Sequence, residues 1–248
     1  AIWFNHKKNT DITLSLRGFR PDLRLIGEIY AIGLPSVIMM AIGSVMTFLM
    51  NKILITYHAA HETAATAFGT YFKLNSFIFM PVFGMNNGVV PIVAYNYGAQ
   101  NRRRMVETIK RGALYASCIM VFGTILFWAI PGPLLKIFDA SDTLLSVGIP
   151  ALRIISLSFC MAGASIALGS SFQALGKSFY SMITSIVRQL VFLIPIAYVL
   201  ARYGVSVGNS DLVWWSYPIA EVFSLILTLA FFRRLYKTII APLPEGRE

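Results

Sequence analysis

Residues 64–100 read AATAFGTYFKLNSFIFMPVFGMNNGVVPIVAYNYGAQ, and residues 101–112 continue as NRRRMVETIKRG. The apolar run in the first stretch is interrupted near its middle by Gly84, Asn86, Asn87, Gly88 and Pro91. An apolar segment of at least about 20 residues can cross a bilayer, and a cluster of cations after it marks the cytoplasmic end. Polar groups persist in hydrocarbon only beside protein or water, so we expect this interrupted helix to line a cavity.

The composition of the whole chain indicates a membrane protein. Of the 248 residues, 56% are hydrophobic and only 13% are charged, whereas a soluble domain has about 25% charged residues. The net charge of +10 comes from short cationic patches between apolar runs, which is typical of membrane topology rather than of nucleic-acid binding. We therefore predict an all-α polytopic protein in a lipid bilayer, with no nucleic-acid partner.

Apolar runs and turn residues predict six transmembrane passes. The runs lie at about 25–57, 64–97, 112–133, 147–173, 178–201 and 212–232. The segments on one side of these passes contain 15 of the 21 Lys and Arg residues, whereas the opposite loops contain Lys136 and Arg202. The positive-inside rule then places both ends of the chain in the cytoplasm. Trp128, Trp214 and Trp215 are expected at the other interface, as an aromatic belt.

This topology divides the chain into three parts. Residues 1–24 are interpreted as the end of a preceding helix and a basic cytoplasmic linker, 25–236 as the six-helix lobe, and 237–248 as a cytoplasmic tail. The chain begins with AIWF, which resembles the last turn of an earlier span, so we expect a front part to be missing.

Three charged residues are predicted near the middle of the bilayer. Lys73 and Glu221 lie about nine residues from one end of their helices, and Arg188 lies about ten residues from the other end, which is roughly 14–15 Å deep. A lone charge there costs at least about 2.5–3.5 kcal/mol. We expect Glu221 to pair with Lys73, Arg188 or both, either as a fixed structural ion pair or as part of a cavity or coupling relay.

Two other patterns leave alternatives open. Asn86 and Asn87 lie between Gly84 and Gly88, so a close helix crossing is as plausible as a polar cavity wall. The segment His58-Ala-Ala-His61-Glu62 has the wrong order for a zinc protease and is interpreted as a loop. No phosphate-binding glycine loop and no nucleophile beside a base occurs in the sequence, so an enzyme, a metal site and an organic cofactor are not expected.

Three segments resemble a known family. YFKLNSFIFMPVFGMNNGVVPIVAYNYGAQN (71–101), SSFQALGKSFYSMITSIVRQLVFLIPIAYVL (170–200) and VWWSYPIAEV (213–222) are similar to the C-terminal six-helix lobe of the multidrug and toxic compound extrusion (MATE) transporters. The resemblance implies two six-helix lobes related by a pseudo-two-fold axis, the N-terminal one being absent here. It implies export of cationic or lipophilic compounds across the cell membrane by alternating access, in exchange for H⁺ or Na⁺.

On this resemblance, the candidate residues of the substrate or ion cavity are Asn51, Lys73, Asn86, Asn87, Arg188, Gln189 and Glu221. Sodium-coupled members use acidic residues in the helices equivalent to 25–57 and 147–173. The corresponding stretches here, MMAIGSV (39–45) and CMAGASI (160–166), contain no carboxylate. Two alternatives stay open: a lipid-linked oligosaccharide flippase of the same superfamily, favoured by Lys73 and Arg188, and a non-transporting membrane assembly protein.

Overall fold

The computed structural model describes residues 22–245, and in that range it contains helices and turns without a β-strand. Predictions for residues 1–21 and 246–248, including most of the basic linker, lie outside the described residues. Five helices are long and apolar enough to cross a membrane, and a bent helix pair makes a sixth pass. The prediction of an all-α membrane protein with six passes is confirmed.

The first two passes are the long helices α1 (Leu23–Tyr57) and α2 (His61–Gly98). The side chain of Asp22 caps α1 by accepting a hydrogen bond of 2.9 Å from the Arg24 N–H. Helix α2 continues without a break through Pro81 and Pro91, so the expectation of an interrupted helix is wrong. Membrane helices tolerate proline where local adjustments and neighbouring groups satisfy the freed backbone atoms.

The cationic segment between the second and third predicted passes is mostly helical, because α3 (Arg102–Ala129) begins inside it. Asn101 caps α3, accepting a hydrogen bond of 3.1 Å from the Arg104 N–H. The Arg102 guanidinium donates to the Tyr236 hydroxyl at 3.1 Å, which ties the start of α3 to the end of the last pass. Apolar side chains from the third, fourth and last passes pack together here. We call this end of the bundle the basic end.

The fourth pass is bent by 50° between α5 (Asp142–Ser156) and α6 (Phe159–Ala174), which a short helix α4 (Pro131–Lys136) precedes. The Ser158 hydroxyl bonds back to the Ile155 carbonyl at 2.6 Å, a contact that bends helices. Side chains of α3 satisfy carbonyls at the bend: Thr124 donates to Ser156 O at 2.9 Å, and Trp128 donates to Arg153 O at 3.1 Å. The bend therefore depends on contacts with another helix.

The fifth pass contains a widened turn. It consists of α7 (Ser178–Ile186), a π-helical segment (Val187–Leu193) and α8 (Ile194–Val207). Pro195 follows the π-helical segment, and its ring excludes the usual hydrogen bond to the carbonyl four residues earlier. The extra residue in the turn accommodates this loss, and such π-bulges are frequent at functional sites.

The last pass begins with a 3₁₀ turn (Ser210–Trp215), continues as α9 (Ser216–Leu235) and ends in a second π-helical turn (Tyr236–Ile240). Trp214 is fully buried and packs with the rings of Phe68 and His58, at centroid distances of 6.4 and 5.9 Å. Its placement in an aromatic belt is therefore wrong. Trp128 and Trp215 are both partly exposed on the outside of the bundle.

Close helix packing uses other glycines than those expected. A Cβ at Gly163 of α6 would lie 2.8 Å from Met120 Cγ and 3.0 Å from the Ala116 carbonyl oxygen of α3. A Cβ at Gly84 or Gly88 would meet no described atom within 4 Å. The alternative of a close helix crossing at those two glycines is thus not supported.

Candidate functional site

A cavity of about 960 Å³, called the large cavity below, opens between α1, α2, α6, the π-helical segment and α9. Its walls are mainly aromatic, aliphatic and methionine side chains with a few amides and hydroxyls. The aromatic and methionine residues that line it are Met40, Met46, Phe48, Tyr71, Phe72, Phe79, Met80, Phe83, Phe159 and Tyr217. The helices α1 and α2 contribute most of these side chains.

An ion pair lies in the wall of the large cavity. Arg188 Nη1 of the π-helical segment is 3.6 Å from Glu221 Oε2 of α9, which confirms the predicted pairing of Glu221 with Arg188. The two side chains differ in exposure, because 30% of the arginine but only 9% of the glutamate is accessible. Glu221 is the only carboxylate among the buried side chains that the structure describes.

Lys73 lies elsewhere, so of the alternatives expected for Glu221 the structure shows the pair with Arg188 and not one with Lys73. Its side chain is exposed, and its Nζ lies 5.6 Å from the ring centroid of Phe138 in the α4–α5 connection. It lines neither the large cavity nor the small cavity described next. A lysine on an outward helix face can extend its ammonium group toward the interface, which removes the cost of a deep charge.

The remaining candidate residues divide between two cavities. Asn51 and Gln189 line the large cavity, and Gln189 Nε2 donates to Ser185 Oγ at 2.9 Å. Asn86 and Asn87 line a second cavity of about 250 Å³, the small cavity, which lies nearer the basic end. Arg188 borders both cavities.

His58 and His61 make different contacts in the structure. His58 is buried, its Nδ1 accepts a hydrogen bond of 3.1 Å from the Ala60 N–H, and its Nε2 lies 3.7 Å from Asp211 Oδ1. The exposed His61 instead contacts the Ile55 carbonyl. Within residues 22–245 no group of three or more His, Cys, Asp or Glu side chains has a geometry suited to a metal ion.

The six-helix lobe matches the model of a known protein family. The model of the MatE family matches residues 35–199, which include all residues that line the large cavity except those of α9. The chain belongs to the MatE family.

Relatives of this MatE lobe are about twice as long. The chain is 26% identical over 230 residues to the multidrug export protein MepA of Staphylococcus haemolyticus (strain JCSC1435), covering 92% of the chain and 48% of MepA. It also resembles solved structures of a MATE transporter of the MOP superfamily. The outward-facing conformation gives a TM-score of 0.84 at 20% identity, covering 96% of this chain and 52% of the other. The inward-facing conformation gives 0.81 at 21% identity, covering 97% and 54%.

Several polar residues that line the cavities of the MatE lobe are not among the candidates predicted from the sequence. Ser224 and Thr228 lie three and seven positions after Glu221, and all three are buried on one face of α9. This spacing is the signature of one helix face, so the stripe was readable from the sequence. Tyr71 and Ser165 gave no such signal, because their helices contain tyrosine and serine on several faces.

Proposed function

We propose that this lobe is the C-terminal half of a secondary antiporter in the cell membrane. The full protein would export cationic or lipophilic small molecules in exchange for H⁺ or Na⁺, and an N-terminal six-helix lobe would form the other wall of the transport path. Rocking of the two lobes would give alternating access. The resemblance of this lobe to both the outward-facing and the inward-facing transporter supports a lobe that moves as a unit.

The large cavity is the observation that supports this proposal most directly. Its volume lies near the top of the range of about 300–1,000 Å³ for small-molecule sites. Aromatic faces attract cations, and flexible methionines adapt to ligands of different shape. Walls of this kind therefore favour a lipophilic cation over an anion.

The position of the cations argues for export of drugs rather than for flipping of a pyrophosphate-linked lipid. A pyrophosphate would require several unpaired cations in the cavity wall. Arg188 is already paired with Glu221, and Lys73 lies outside the cavity. The flippase alternative therefore loses the two residues that favoured it.

The proposed orientation follows from charge. Arg102, Arg103, Arg104, Arg233 and Arg234 belong to helix ends at the basic end of the bundle. By the positive-inside rule this end would face the cytoplasm, together with both ends of the lobe.

The proposal can be tested by ethidium accumulation in bacteria without their main drug pumps, using the full-length protein. We expect the wild type to lower ethidium accumulation and Glu221→Gln to abolish this effect at equal membrane abundance. Lys73→Gln is the matched control, since it removes a span charge outside both cavities, and it should export as the wild type does. A wild type that never exports, with Glu221→Gln lowering only abundance, would indicate the non-transporting assembly protein instead.

A further inference from the structure

A third cavity, of about 720 Å³, lies at the basic end between the first turns of α3 and the end of the last pass, and is called the basic groove below. Among the described residues, the cationic side chains that line it are Arg102, Arg103, Lys110 and Arg111. Arg103 and Lys110 are seven residues apart, so they lie on one face of α3, about 10 Å apart along its axis. A concave surface with this concentration of positive charge attracts an anionic ligand.

Contacts with the end of the last pass hold Arg102 in the wall of the basic groove. Its guanidinium donates to the Tyr236 hydroxyl at 3.1 Å and to the Ala241 carbonyl at 3.3 Å, and its main-chain N–H donates to the Pro244 carbonyl at 3.2 Å. A guanidinium has five N–H donors, so these two side-chain bonds leave others for a ligand. The Tyr236 hydroxyl accepts its bond from Arg102 and therefore keeps its own proton to donate. Donors fixed in this way suit the oxygens of a phosphate group.

Two carboxylates also line the basic groove and offset its positive charge only in part. Glu107 pairs with Arg111, four residues later on α3, and both side chains are at least half exposed. Glu245 contributes the second carboxylate from the end of the described chain. Four cations against two carboxylates leave a formal charge of +2 in the groove. The exposed Lys110 has no ion-pair partner among the described residues, so its ammonium group is available to a ligand.

The same face of α3 continues from the basic groove as an apolar stripe. Beyond Lys110 it presents the exposed side chains of Leu114, Tyr115, Phe122 and Ile125. From Leu114 to Ile125 the stripe measures about 17 Å, which is roughly half of the 30 Å of hydrocarbon in a bilayer, or one leaflet. No residue of α3 lines the large cavity or the small cavity. The stripe therefore lies on the outside of the bundle, away from the proposed path of the cargo.

We propose that the basic groove binds the headgroup of an anionic phospholipid, whose acyl chains lie along the apolar stripe of α3. The phosphate supplies the negative charge and the acceptor oxygens that the guanidinium and ammonium groups require. The stripe begins one turn after Lys110, so the ligand that matches both surfaces has hydrocarbon attached to its phosphate. A free phosphate would contact the cations but leave the stripe uncovered. Basic pockets beside membrane helices are suited to such headgroups, and this site is independent of drug export.

The test is photo-crosslinking of the full-length protein in nanodiscs of phosphatidylcholine that contain a small fraction of phosphatidylglycerol with a diazirine in its acyl chain. Peptide mass spectrometry locates the labelled residues. We expect the label on residues 114–125, and unlabelled phosphatidylglycerol should displace it, whereas the same amount of added phosphatidylcholine should not. Displacement by inorganic phosphate would show that the groove takes a free anion instead of a lipid, and it would overturn the proposal.

Two variants of the same residues test the role of charge in the groove. Arg103→Gln/Lys110→Gln removes two cations, each of which contributes about a fivefold increase in affinity for an anionic headgroup. Half-maximal labelling of α3 should then require a fraction of phosphatidylglycerol that is about 25-fold higher. Arg103→Lys/Lys110→Arg retains both charges and should be labelled as the wild type is. Weak labelling of this second variant as well would show that loss of charge is not the cause, and would contradict the proposal.

The matched control is Arg104→Gln/Lys237→Gln. Both residues are exposed at the basic end, but neither lines the basic groove. This variant lowers the charge of the same surface by the same amount, so it should be labelled as the wild type is. Equal losses in the two neutralised variants would mean that the whole surface attracts anionic lipid and that the groove holds none. The proposal is also overturned if a phosphatidylcholine probe with the same diazirine labels residues 114–125 as strongly as the phosphatidylglycerol probe does.

Discussion

The ion pair between Arg188 and Glu221 predicts an asymmetric double-mutant cycle. Removing one partner of a buried pair costs about 3–5 kcal/mol, because the other charge is left without compensation. Here the arginine is 30% accessible through the cavities and can be hydrated, whereas the glutamate is only 9% accessible. Arg188→Met should therefore lower the free energy of unfolding by about 3 kcal/mol, and Glu221→Gln by about 1 kcal/mol.

Protonation of Glu221 limits the loss of unfolding free energy that Arg188→Met can cause. The isolated carboxylate can take up a proton instead of staying charged, which at pH 7 costs an ordinary glutamate roughly 3.7 kcal/mol and at pH 5 roughly 1 kcal/mol. The cost of Arg188→Met should therefore fall as the pH is lowered, while that of Glu221→Gln stays constant. The double variant keeps two neutral side chains of similar size and should lose about 1 kcal/mol, which leaves a coupling energy of about 3 kcal/mol.

Unfolding by SDS in mixed micelles, followed by tryptophan fluorescence, measures all four proteins at both pH values. A coupling energy below about 0.5 kcal/mol would show that the two residues act independently, despite the distance of 3.6 Å. A larger loss for Glu221→Gln than for Arg188→Met would refute the argument from exposure. Either result would mean that Arg188 does not balance the charge of Glu221.

Three further predictions concern the packing that holds the cavities open. Gly163→Ala should lower the free energy of unfolding by about 1–3 kcal/mol through overpacking, whereas Gly169→Ala should raise it by about 0.5–1 kcal/mol, both in the SDS titration. Trp214→Ala should cost about 3–5 kcal/mol, and Trp215→Ala on the outside of the bundle less than about 1 kcal/mol. Pro195→Ala restores a backbone donor and should raise thermal stability, but lower ethidium export by moving Arg188, which cell accumulation assays measure.

The positions of the passes were predictable because hydropathy depends only on composition along the chain. The bend at residues 157–158 was not, since no proline or glycine marks it. It arises from serine hydroxyls that bond to their own helix and from Thr124 and Trp128 of α3, which donate hydrogen bonds to the freed carbonyls. Contacts of this kind exist only after two helices have packed.

The depth of the candidate residues in the bilayer was predictable from the sequence, but the direction of their side chains around each helix was not. Counting residues placed Lys73, Arg188 and Glu221 at similar levels in the bilayer, and it correctly required a partner for Glu221. The direction of a side chain around its helix depends on which faces pack against neighbours, and α2 turns Lys73 away from the other two. The small cavity was missed for a related reason, because its hydroxyls come from the three helices α6, α7 and α9 and converge only in the folded bundle.

The unbroken α2 has a mechanical consequence. Its 38 residues correspond to about 57 Å, which is longer than the roughly 30 Å of hydrocarbon in a bilayer. Met80, near the middle of this helix, lines the large cavity together with Glu221. Rotation by about 10° around its centre displaces each end by roughly 5 Å in opposite directions, about the pitch of one helical turn. Under the proposed alternating access, such a rotation would open one end of the transport path while it closes the other.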